Sequence, residues 1–372
     1  MMGLLLTVLV CGCEGLVIDR VIKVSPADWT TLGGSPTRAN QSASSLIPPF
    51  RQIWQYDAGS GITATPLVRD NIVVVSTLKG ELHALNLLSG KRIGYISLDG
   101  PVAGTPVWNG PVVLLPIATG DETIEVINLD DGTRKWKAKF GQCESSPLLY
   151  DKYLYVTALN GCLFCLNVAN GDEVWEFKTA AEDRRKPIRS SPATDGTVIV
   201  FGCDNGILYA VDRVSGTEVW RFAAGESIFA SPMVTKGRVI VGSLNGSVYC
   251  LEIRTGKLLW TFETKSRIFG SASTNDSLVF IGTTDGRCYA IDIEKGIVNW
   301  TFETNGVINS APLVTGNLLC FGSLDKNLLV VDAATGKELW KHEMEGRIKV
   351  SPVIWNGTLL VTSEDNYVTA FK

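Results

Sequence analysis

Trp220, Trp260, Trp300 and Trp340 stand 40 residues apart, and each lies four residues after a glycine. The spacing continues upstream through Trp175, Trp136 and Trp54. The interval from Trp54 to Trp136 covers two steps, and its unfilled mark falls at Gly94, four residues after Gly90. Eight marks result, at 54, 94, 136, 175, 220, 260, 300 and 340. A period of roughly 40–50 residues built of short strands belongs to propeller blades, which bury their faces only against one another.

Two further phrases keep the same step. One opens on Ile and closes on Pro, at Ile188–Pro192, Ile228–Pro232, Ile308–Pro312 and Ile348–Pro352. Pro66, Pro106 and Pro147 mark three more copies, and Ala272 takes the Pro slot in the eighth. The other phrase is a hairpin signal between apolar runs, seen at Asn160-Gly161, Asn205-Gly206, Asn245-Gly246 and Asp285-Gly286. Such pairs supply the positive φ of tight hairpin turns. Each copy therefore reads as four strands, a to d, with a after the Pro and d carrying the Trp. The last copy has a, b and c only, whereas Ile53–Tyr56 is a lone strand d ahead of the first. The expected fold is all-β, an eight-bladed β-propeller of four-stranded blades over residues 51–372. The N-terminal strand closes the last blade and leaves no terminal edge open.

These Ser-Pro, Asn-Gly, Leu208-Tyr-Ala-Val-Asp212 and Thr335-Gly-Lys-Glu-Leu-Trp340 phrases resemble the PQQ-like (quinoprotein-type) repeat family over residues 51–372. The lead-in Asp28-Trp29, Gly33-Gly34 and Arg38 is also similar to a segment that precedes such arrays. The resemblance implies that the strand-d tryptophans dock neighbouring blades. The family holds both quinone-dependent dehydrogenases and non-enzymatic scaffolds. Its enzymes carry an adjacent cysteine pair over the quinone, which is absent from residues 14–372.

Residues 3–12 are apolar and are followed by Cys13. Ten residues are too short to span a bilayer and suit a secretory signal. Val10-Cys11-Gly12-Cys13 resembles the lipobox of bacterial lipoproteins. That implies a signal peptide over 1–12, a diacylated Cys13, and a tether and lead-in over 13–50, with Ser42–Pro49 flexible. Met1-Met2-Gly3 has no Lys or Arg, so an upstream start, a plain signal peptide or an apolar stub stay open.

Chemistry is sparse. A net charge of −4 gives no basic footprint for nucleic acid. The residues after the strand-a Ile are expected at the channel mouth: Thr63, Ala103, Glu144, Arg189, Phe229, Phe269, Asn309 and Lys349. One carboxylate among them does not make a Ca²⁺ site, which takes six to eight oxygens. Arg189 and Lys349 read as an anion clamp or a solvated rim. Cys162-x-x-Cys165 lies on a strand, where positions three apart face opposite sides, so core thiols are expected and not a metal site. His83 and His342 have no nucleophile phrase beside them.

No catalytic, metal or cofactor residue is therefore expected. Candidate partner-binding residues are Arg184, Arg185, Lys186, Ile188 and Arg189 of the one irregular loop, with Phe229 and Phe269 at the rim. Trp54, Trp136, Trp175, Trp220, Trp260, Trp300 and Trp340 are expected to dock blades. By resemblance the chain is a monomeric, non-enzymatic lipoprotein of the bacterial outer membrane. It would face the periplasm and bind a protein partner, the core subunit of β-barrel assembly. The alternatives are a small PQQ-dependent dehydrogenase and a propeller that binds cell-wall or extracellular polymer.

Overall fold

The computed structural model describes residues 15–44, 46–119, 123–180 and 186–372. Among them, eight sheets contain four antiparallel strands each. Blades 1 to 7 span 67–97, 107–138, 148–178, 193–223, 233–263, 273–303 and 313–343. Blade 8 joins Val353–Trp355, Thr358–Thr362 and Tyr367–Phe371 to the N-terminal strand Gln52–Asp57. Trp54 pairs with Ala370 and Asp57 with Tyr367, so both ends of the array share one sheet as expected.

Burial follows from blade stacking. Strand b of blade 4, Val198–Gly202, is buried at every position because neighbouring blades cover both its faces. Strand d, Glu218–Ala223, lies at the outer edge and is mostly exposed. Each strand d carries a bulge just before the tryptophan mark; Trp220 opposes Ala210 while Glu218 opposes Val211. A bulge re-aims the side chain that follows it. The small partner opposite (Ala210, Ala290, Cys165 or Cys250) leaves room for the indole.

The indoles then lock blade to blade. Trp54, Trp136, Trp220, Trp260 and Trp300 donate from Nε1 to the Leu87, Val168, Ile253, Ile293 and Ala333 carbonyls, respectively, of the following blades, at 2.7–3.1 Å. Between blades 3 and 4 the pattern changes. The Tyr155 hydroxyl donates to the Arg213 carbonyl at 3.2 Å, and the buried Trp175 Nε1 has no partner. Trp340 stacks on His342 and meets Phe50 and Phe371 edge-on at the closing blade.

Blade 1 has no tryptophan, and the lead-in fills the gap. A Cβ on Gly94 would come within 2.7 Å of the Gly15 carbonyl oxygen and 3.2 Å of Leu16 Cα. Leu16 is fully buried there, and the Ile18 amide donates to the Leu129 carbonyl at 2.7 Å.

From that outer edge the lead-in crosses the end of the propeller that carries the a–b and c–d turns. Trp29 exchanges backbone bonds with Val68 of blade 1 at 2.8 Å. Amides of Trp108, Thr194, Val234, Thr274 and Val314 donate to the carbonyls of Thr30, Pro36, Thr37, Ala39 and Asn40. These amides lie on strands a of blades 2, 4, 5, 6 and 7, the innermost of the four antiparallel strands in each blade. Arg38 bonds the Pro147 carbonyl of blade 3 and the Pro192 carbonyl of blade 4, and Trp355 Nε1 of blade 8 donates to Asp28. The lead-in is thus bonded to all eight blades.

Of the stretch 13–50 expected as tether and lead-in, residues 15–42 are docked on the propeller. Gln41–Ser42 adds a parallel pair to Val314–Thr315 of blade 7. The reason is that the open inner edges of strands a offer this segment hydrogen bonds. Cys13, the expected acylation site, lies outside the described residues.

Candidate functional site

Each loop from strand d to the next strand a is pinned by one apolar residue. Ile62, Val102, Cys143, Ile188, Ile228, Ile268, Ile308 and Ile348 are all buried. The residue after each is thereby turned towards the channel. A belt of hydroxyls follows: amides of Thr65, Thr105, Ser146, Ser191 and Ser231 donate in turn to Oγ of Thr105, Ser146, Ser191, Ser231 and Ser271 at 2.8–3.0 Å. This accounts for the serine before most of the repeated prolines. It ties each blade to the next around the axis, and it breaks where Ala311 offers no hydroxyl.

The result is a cup of about 190 Å³. Its floor is Leu32, Gly33, Arg38 and Asn40 of the lead-in. Thr63, Ala103, Glu144, Phe229, Phe269, Asn309 and Lys349 line it, as expected for the channel mouth. Arg38 is buried and meets no carboxylate; its guanidinium donates to Thr31 Oγ1, Leu32 O, Pro147 O and Pro192 O at 2.8–3.1 Å. Burial pushes its pKa down to about 9. Its donors close the channel and hold it rigid.

At the rim, Arg189 bonds Glu144 at 3.3 Å, pairs with Asp204 and lies 5.4 Å over the Phe229 ring. Phe229 in turn packs at 5.7 Å against Phe269. Lys349 pairs with Glu364, which also meets Arg347 at 3.4 Å. Both expected cations are therefore neutralised, which disfavours an anion clamp. Burial pushes the Asp204 carboxyl above its ordinary range, with Arg189 pulling the other way, and its Oδ1 is buried without a partner.

Asp204 and Glu364 were not among the expected site residues. Their hairpin slot holds Leu78, Leu159, Leu244 and Leu324 in other blades. It turns acidic in blades 4 and 8, where the mouth residue is a cation. That paired departure from the repeat was the available signal.

Of the expected partner-binding loop, Arg184 and Arg185 lie outside the described residues and Lys186 is exposed. Ile188 is corrected: it is fully buried and packs with Phe201 and Tyr209, so no partner can reach it. What the fold brings together is the arc Glu144–Arg189–Phe229–Phe269 across blades 3 to 6.

The donor set does not fit a quinone with Ca²⁺. The lining supplies one carboxylate, Glu144, and Arg189 already engages it. Among the described residues, no group of three or more His, Cys, Asp or Glu is placed to hold a metal ion. Cys162 and Cys165 are buried in different clusters on opposite faces of their strand. His83 is a seam residue, with Nδ1 accepting from the Tyr56 hydroxyl at 2.8 Å and Nε2 donating to Glu81 at 3.2 Å.

A family model described as outer membrane protein assembly factor BamB matches residues 51–205, 204–323 and 306–372. Outer membrane protein assembly factor BamB of Shewanella oneidensis is 25% identical over 141 residues, covering 34% of this chain and 36% of the relative. The match thus spans about a third of that protein's length. A 1-butanol dehydrogenase (cytochrome c) of Thauera butanivorans is 23% identical over 202 residues, covering 51% of this chain and 24% of the enzyme. The crystal structure of BamB from Moraxella catarrhalis superposes with a TM-score of 0.75 at 17% identity, covering 87% of this chain and all of that one. That likeness concerns the fold.

Proposed function

Because this chain belongs to the family described as outer membrane protein assembly factor BamB, we propose that it is a non-enzymatic, periplasm-facing lipoprotein scaffold of outer-membrane β-barrel assembly. The observation that carries this reading is the rim. Its charges are paired within the chain, while the half-buried Phe229 and Phe269 and the face of Arg189 stay at the cup mouth. Aromatic and arginine side chains on a rigid platform suit protein recognition. No group at the mouth is set up as a base or nucleophile. The partner is the core subunit of the assembly machinery, and Cys13 carries the anchor. Extraction of envelopes in mild detergent tests the reading: the protein is expected to co-purify with a barrel-assembly complex, and recovery as a lone monomer overturns it.

The similarity to a dehydrogenase supports a second reading, a small quinoprotein. That reading requires PQQ with Ca²⁺ to raise the melting temperature, since a ligand of the folded state stabilises it. No shift at excess ligand removes it.

A further inference from the structure

The anchor and the propeller are separated by very little chain. Leu16 is buried at the outer edge of blades 1 and 2, where it takes the place of a missing indole. Only three residue steps separate it from Cys13. A span of three residues reaches at most about 10 Å. A free tether over residues 13–50 would have a root-mean-square reach of roughly 35 Å and would leave the propeller free to turn.

The chain just after Leu16 presents apolar side chains outward. Val21 and Val24 are 89% and 77% exposed, and Val17 is half-exposed. Val21 and Val24 border a shallow hollow of about 280 Å³ shared with Gly110 and Pro111 of the blade 2 turn. All of this lies at the end that carries the a–b and c–d turns. The cup, Lys186, Phe229 and Phe269 lie at the opposite end.

We infer that the turn end of blades 1 and 2 is a membrane-seating surface. It is held against the bilayer that contains the acyl chains of Cys13, with Val17, Val21 and Val24 in the interface and the cup turned away. The inference rests on the reading of Cys13 as acylated. Short apolar side chains beside a lipid anchor add a second contact, and two contacts fix an orientation where one does not. The docked lead-in thus acts as a short leash that presents the recognition arc to the periplasm.

The test uses full-length acylated protein in vesicles of phosphatidylethanolamine and phosphatidylglycerol with quencher-labelled headgroups. Fluorophores are placed by Val21→Cys or by Lys186→Cys; the native propeller thiols are buried and stay unlabelled. The Val21→Cys probe is expected to be quenched several-fold more than the Lys186→Cys probe. A flexible Gly/Ser insertion of about 20 residues between Glu14 and Gly15 is expected to abolish the difference. Equal quenching without the insertion, or an unchanged difference with it, overturns the inference and leaves the anchor reading standing. Mass analysis of the N-terminal peptide reports on the anchor separately: an unacylated Cys13 removes that reading, and the inference falls with it.

Discussion

The backbone amide of Ile18 donates to the carbonyl of Leu129 at 2.7 Å, in the place where five other seams put an indole N–H. Leu16 beside it fills the space of the missing ring, so blade 1 takes its wedge from the lead-in. Leu16→Ala is expected to cost about 2–4 kcal/mol, as for other buried leucines that leave a cavity. Urea unfolding measures it. A loss under about 0.5 kcal/mol, the range of ordinary surface substitutions, contradicts the wedge.

Arg38 spans the floor of the cup with bonds to blades 3 and 4. Arg38→Ala leaves buried carbonyls without donors, each costing about 1–3 kcal/mol. A drop in stability on the order of 3 kcal/mol is expected in chemical denaturation. Arg38→Lys should recover little of it, because an ammonium cannot reproduce the planar fork.

His83 links the closing strand to blade 1 through Tyr56. Burial lowers its pKa in the folded chain, with Glu81 opposing. The unfolded chain therefore holds the proton more tightly, so this contribution is complete above the unfolded value of about 6.5 and is lost as pH falls through the folded value. The urea midpoint is expected to fall between about pH 7.5 and pH 5, and the fall should be smaller in His83→Gln. An identical pH profile in the variant contradicts this role.

Burial pushes the thiols of Cys143 and Cys203 up to about 11, and those of Cys165, Cys250 and Cys320 up to about 12. Thiolate is the reactive form. These cysteines should resist an aromatic disulfide reagent at about pH 8 and react fully only in denaturant. Rapid reaction of the native protein runs against the packing described.

What repeats in this chain was legible. The eight blades, the shared eighth blade and the mouth residues each recur at a constant step, so alignment of the copies places them. What occurs once was not. Leu16 and Arg38 occupy places in the lead-in that no repeat copy displays, and turn-forming neighbours such as Gly33 and Gly34 make their segment resemble a loop. Ile188 shows the opposite error. It was read as part of an irregular loop, although its place in the strand-a phrase marked it as a buried pin. The acidic partners of Arg189 and Lys349 were visible as departures from Leu at one hairpin slot, but a carboxylate in a hairpin carries little meaning until the fold sets a cation beside it.

The proposed scaffold role requires the arc through Arg189, Phe229 and Phe269 to recognise a protein partner. Quantitative capture of the barrel-assembly complex by the wild type and by the Phe229→Ala/Phe269→Ala double variant tests it most directly, with thermal midpoints recorded for both. Truncating aromatic anchors at an interface typically weakens binding by about 2 kcal/mol or more. The expected result is capture by the wild type and a loss of about tenfold or more in the variant, at a similar midpoint. Equal capture by both proteins, or a wild type recovered alone, would contradict it.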